Sequence, residues 1–109
     1  MKFKDKSMIV DTLIELAKES KLNTDQRKRI LDIVENLEKA TETQKERFIL
    51  YYGLSENKKE RKKLIEIAKI YGTTTSAIRH SIISVRNKLS RLHEGFEVIE
   101  QVVNECVNN

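Results

Sequence analysis

The chain has no proline, no tryptophan, three glycines (Gly53, Gly72 and Gly95) and one cysteine, Cys106. With so few residues to interrupt the backbone, its abundant Lys, Glu, Ile and Leu predict an all-α fold. A lone cysteine excludes an intrachain disulfide framework and suits a reducing, cytoplasmic compartment. No apolar run approaches the roughly 18 residues that span a bilayer, so no membrane partner is expected. The first residues, MKFKDK, lack the apolar core of a signal peptide. A length of 109 residues allows one domain and a modest core.

The residues that catalysis needs are equally scarce. His80 and His93 stand 13 positions apart, in no helical register that pairs them. Cys106 falls among apolar neighbours near the C-terminus and reads as packed, not reactive. No Cys/His set has metal-ligand spacing, and no glycine-rich phosphate loop exists. The carboxylates alternate with lysines at helical spacing, as on solvated faces. The expectation is a protein that is not an enzyme, with no cofactor and no metal.

What is present is a pattern over residues 64–80. Ala68 and Gly72 stand four apart, where a helix-turn-helix needs little bulk and then a residue that tolerates positive φ. Ile67, Tyr71 and Ile78 supply apolar contacts, and Thr74 can cap the second helix. Arg79 and His80 then lie one turn in, where a major-groove reader carries base-contacting side chains. Arg79 can hold guanine O6 and N7 or touch only phosphate, and Thr75 and Ser76 either read bases weakly or finish the helix start. Ile83, a turn further on, either meets thymine methyl groups or is buried by a neighbouring element.

Around this unit the chain divides into a helical hairpin over 1–40, the helix-turn-helix region over 41–92 and a helical extension over 93–109, as one compact unit. The first helix is expected from about 7 to 20, with Ser7 as its cap. The second should start at Asn23 with Gln26, or Thr24 with Asp25, and run to about Ala40. Thr41 with Gln44, and Thr43 with Glu46, give overlapping capping signatures for a third helix that ends at Gly53.

Net charge is +4, unevenly spread. Residues 41–92 carry twelve Lys/Arg against five Asp/Glu, and residues 93–109 carry four acidic side chains and no Lys or Arg. A basic region coinciding with a helix-turn-helix pattern points to phosphate as partner, hence double-stranded DNA. Arg47, Lys69, Arg86 and Lys88 are generic phosphate candidates, and Lys58, Lys59, Arg61, Lys62 and Lys63 fall in a polar loop. From Ile78 through Ile82, Val85, Leu89, Leu92, Phe96, Ile99 and Val103 to Cys106, apolar residues recur every seven positions. This predicts an extended C-terminal helix, bent at Gly95, whose 78–106 seam either packs within the chain or forms a homodimer.

The segment 44–54 (QKERFILYYGL), followed ten residues on by 65–72 (IEIAKIYG) and later by RNKL at 86–89, resembles region 4 of the sigma-70 family of bacterial transcription initiation factors. The resemblance covers residues 43 to about 92. It implies promoter recognition at the upstream (−35) element and docking on RNA polymerase. Carried over by position, base reading falls on Thr75, Ser76, Arg79 and His80, beside the cap Thr74, with Lys62 and Lys63 at the phosphates. Where that family places Arg and Glu at the start of its reading helix, this chain has Thr75, Ser76 and Ala77. The 71–76 run is also similar to the DNA-binding domain of the sporulation response regulator of endospore formers. A free-standing sigma-like domain is therefore expected. The alternative is an anti-sigma or phage-type adaptor that binds polymerase or a sigma factor without reading DNA.

Overall fold

The computed structural model describes residues 5–55 and 60–108. Lys58 and Lys59 of the expected polar loop lie outside the described residues. Among these, six helices and no strands are found: α1 (Lys6–Lys18), α2 (Thr24–Glu35), α3 (Glu42–Tyr52), α4 (Leu64–Tyr71), α5 (Thr75–Leu89) and α6 (Phe96–Val107). They form a compact all-helical globule with extents of 41 × 25 × 19 Å.

Local chemistry sets most of the boundaries. Asn23 Oδ1 accepts from the Gln26 N–H while Gln26 Oε1 accepts from the Asn23 N–H, at 2.8 and 2.9 Å. Thr41 and Gln44 close the same reciprocal box at the start of α3. The cap of α1 is Asp5, whose carboxylate accepts from the Ser7 N–H at 2.8 Å. Ser7 is therefore inside the helix, not its cap. A second correction concerns α2, which stops at Glu35 and not near Ala40. Lys45, buried in α3, donates to the Glu35 carbonyl at 2.8 Å and satisfies that helix end.

The expected hairpin of α1 on α2 is replaced by a different pairing. α1 packs chiefly on α6, and α2 lies against α3 and α6. α5 sits in the middle of the other half, packed on α3 and α4. One continuous core results, with Val10, Val34, Ile67, Ile78, Val85, Leu89, Ile99, Val102 and Val103 fully buried.

The C-terminal half is not one extended helix. α5 ends at Leu89, and three turn hydrogen bonds follow, from the Ser90, Arg91 and Leu92 N–H groups to the Arg86, Lys88 and Leu89 carbonyls. Gly95 then adopts φ 89°, ψ −10°, a left-handed conformation costly for any residue with a Cβ, and starts α6. Lys6 fixes the connector by donating to the Leu92 carbonyl at 2.6 Å, with its ammonium 5.0 Å from the Phe96 ring centroid. The seven-residue seam is thus folded in two. Its α5 half faces α3 and α4, and its α6 half faces α1 and α2. Ile78, Ile82, Val85, Leu89, Phe96, Ile99 and Val103 are all buried within one chain, so of the two alternatives for the seam these positions take internal packing.

Candidate nucleic-acid interface

α4 and α5 are joined by residues 72–74. Gly72 takes φ 62°, ψ 40°, and its N–H and that of Thr73 reach back to the last turn of α4. A Cβ at Gly72 would meet no atom within 4 Å, so space does not select glycine there. Positive φ does, at a cost of about 1–2 kcal/mol for an ordinary residue. Thr74 Oγ1 accepts from the Ala77 N–H at 3.1 Å and opens α5. Its hydroxyl oxygen is engaged in capping, and the side chain remains exposed.

α5 lays Ile78, Ser81, Ile82, Val85 and Leu89 against the core. The opposite face carries Ser76, Arg79, His80 and Ile83, all exposed, with Thr75 half-buried at the helix start. Lys63, just before α4, and Lys69 within it are exposed, and Lys62 is half-buried. Among the described residues, Lys62, Lys63, Lys69 and Arg79 make no ion pair. Glu66 Oε1 accepts from the Lys63 N–H at 2.9 Å, which fixes the start of α4. Lys62 and Lys63 line a shallow depression of about 470 Å³ with Tyr51, Arg61 and Leu64. α5 contains no acidic residue, so nothing on it opposes the positive end of its dipole.

Other basic residues from the sequence reading are engaged elsewhere. Arg47 turns inward: its Nη1 donates to Ser81 Oγ at 2.9 Å, and its guanidinium lies 4.6 Å from the Tyr71 ring centroid. Burial there, and then the charge of Glu46, raise the Tyr71 hydroxyl above its ordinary pKa. Arg86 donates through Nη2 to Asp11 Oδ1 at 2.7 Å and also to Ser7, locking α5 to α1. Lys88 bonds Ser84 at 2.8 Å. Neither Arg47 nor Arg86 is a free phosphate contact. Arg61, which the sequence left in a polar loop, donates to the Tyr51 and Lys18 carbonyls at 3.2 Å.

No family model matches the chain, and no curated protein or solved structure is significantly similar to it. What this surface can do therefore follows from its own chemistry. Hydroxyl, guanidinium and imidazole groups project together from one side of α5, and the ammonium groups of Lys62, Lys63 and Lys69 pair with no described carboxylate, an arrangement suited to an anionic polymer with hydrogen-bonding edges. Among the described residues, no group of His, Cys, Asp and Glu could hold a metal ion. No helix there is long and apolar enough to cross a membrane.

Away from this face, Arg29 links α2 to α6. Its guanidinium donates to both oxygens of Glu105, at 2.7 and 3.2 Å, and Gln26 donates to the same carboxylate at 3.0 Å. The Arg29 hydrogen bond, and after it that from Gln26, hold the Glu105 carboxyl below the usual carboxylate range. Burial pushes the adjacent Cys106 thiol up, away from reactivity.

Proposed function

We propose that the protein is a DNA-binding transcription regulator in which α4, residues 72–74 and α5 act as a helix-turn-helix of the sigma region 4 type. One observation carries the reading. The outward stripe Ser76, Arg79 and His80 of α5 is exposed, and Lys62, Lys63 and Lys69, before and within the helix packed on it, have no carboxylate partner among the described residues. In this reading α5 enters the major groove of promoter DNA, Arg79 donates to guanine O6 and N7, and the lysines contact phosphates on either side. Thr75 and Ser76 contribute short-range hydrogen bonds at the helix start, and His80 donates to a base or phosphate.

RNA polymerase is the second proposed partner. Ile65 and Ile70 of α4 stand 55 % and 58 % exposed, two apolar side chains open to a protein partner. The same two residues support the alternative of an adaptor that binds polymerase or a sigma factor and reads no DNA.

Selection of bound fragments from random duplexes, followed by anisotropy on selected and scrambled sequences, tests the first reading. Arg79→Ala should cost about 1–3 kcal/mol on the selected duplex and little on the scrambled one. Lys62→Ala combined with Lys63→Ala should weaken both alike. Equal losses for both variants on both duplexes would reject base reading by Arg79. Capture of polymerase without any duplex binding would leave the adaptor standing.

A further inference from the structure

Ile83 is 49 % exposed on α5, although Ile78, Ile82, Val85 and Leu89 of the same helix are buried. It lies four residues beyond Arg79 and three beyond His80. Ser76, Arg79, His80 and Ile83 therefore stand at i, i+3, i+4 and i+7, the spacing with which a helix lying along the major groove brings four side chains to base edges. In that groove a base pair presents donors, acceptors and one apolar group, the C5-methyl of thymine. An aliphatic side chain in a row otherwise made of hydroxyl, guanidinium and imidazole has that methyl as its complement.

We propose that Ile83 is a specificity-determining residue that reads a thymine methyl group. The inference rests on the DNA-binding reading above and adds to it a named base and a position. Four residues of helix rise about 6 Å, close to two base steps of about 3.4 Å. The thymine thus lies about two pairs from the guanine that Arg79 holds. Charge favours DNA over an apolar protein patch as the occupant. The flanking Lys62, Lys63, Lys69 and Arg79 are unpaired among the described residues, and α5 carries no carboxylate.

The test uses the full chain and a duplex selected from a random library, in which each thymine is replaced in turn by deoxyuridine. This removes the methyl group and nothing else. One replacement, about two pairs from a guanine, should weaken binding about fourfold, the worth of one buried methyl group. Ile83→Ala should bind the thymine and uracil duplexes equally, while Ile83→Val keeps most of the discrimination. Alanine favours the helix and the site is on the surface, so the variant should fold, which circular dichroism checks. Discrimination that persists in Ile83→Ala, or a wild-type protein indifferent to every replacement, overturns the assignment and leaves DNA binding intact. Failure to bind any duplex overturns both.

Discussion

Salt dependence of duplex binding is the sharpest consequence of the surface described above. Three lysines are proposed to meet phosphate, Lys62, Lys63 and Lys69, and none pairs with a described carboxylate. Each phosphate neutralised on B-DNA contributes about −0.9 to the slope of log K against log salt, so three give about −2.7. Raising salt from about 50 to about 200 mM should then weaken binding by roughly 40-fold. Lys63→Ala should reduce the slope by about 0.9. Arg86→Ala should leave it unchanged, because that guanidinium is held by Asp11 and Ser7. The measurement is fluorescence anisotropy on a labelled duplex across a salt series. A slope shallower than about −2, or one that Lys63→Ala does not alter, refutes the assignment of these cations to phosphate.

The remaining predictions concern what holds the site in place. Arg86→Ala should lower stability by about 1–2 kcal/mol in urea unfolding, since it removes charge-assisted bonds between α5 and α1; the exposed Asp11 keeps the loss modest. Ser81→Ala should cost about 1–3 kcal/mol by leaving Arg47 Nη1 without its acceptor beside a buried Nε that already has none. Replacing both, as Arg47→Met with Ser81→Ala, should cost less than the sum of the single changes, and additivity in the double-mutant cycle counts against the contact. Glu105 has a folded-state pKa below its unfolded value, so its stabilisation is present above the unfolded value of about 4.3 and is lost as pH falls through the lower folded one. The stability difference between wild type and Glu105→Gln should therefore be largest near neutrality and vanish in strong acid, as measured by denaturant midpoints across pH.

Features written in short-range chemistry were legible in the sequence. Asn23 with Gln26, Thr41 with Gln44, Thr74 ahead of α5, and Gly53 and Gly72 as left-handed stops each involve residues within one turn of one another. Ser76, Arg79 and His80 stand out by position in the resemblance, and their exposure agrees with helical period once Ile78, Ile82 and Val85 occupy the core. Period could not tell that the apolar seam is broken. The connector at 90–95 preserves the seven-residue spacing while interrupting the helix, so the pattern of apolar positions survives although the helix does not. That Asp5, not Ser7, caps α1 turns on which of two nearby acceptors reaches a free N–H, which spacing alone does not decide.

Charge was the feature most misleading when read along the chain. Residues 41–92 look uniformly basic, yet the meaning of each cation depends on partners far away in sequence. Arg47 answers to Ser81 34 residues on, Arg86 to Asp11 75 residues back, and Arg61 to the Lys18 carbonyl 43 residues back. These three tie α3 to α5, α5 to α1, and the segment before α4 to the end of α1, so they build the frame that α4 and α5 rest on. Lys62, Lys63, Lys69 and Arg79 pair with no described carboxylate, and neither does the exposed Arg91 beyond the end of α5. Internal engagement of Arg47, Arg61 and Arg86 braces α4 and α5 from within, and a surface that docks on phosphate needs such a brace, because only a rigid frame holds its remaining charges at fixed spacing.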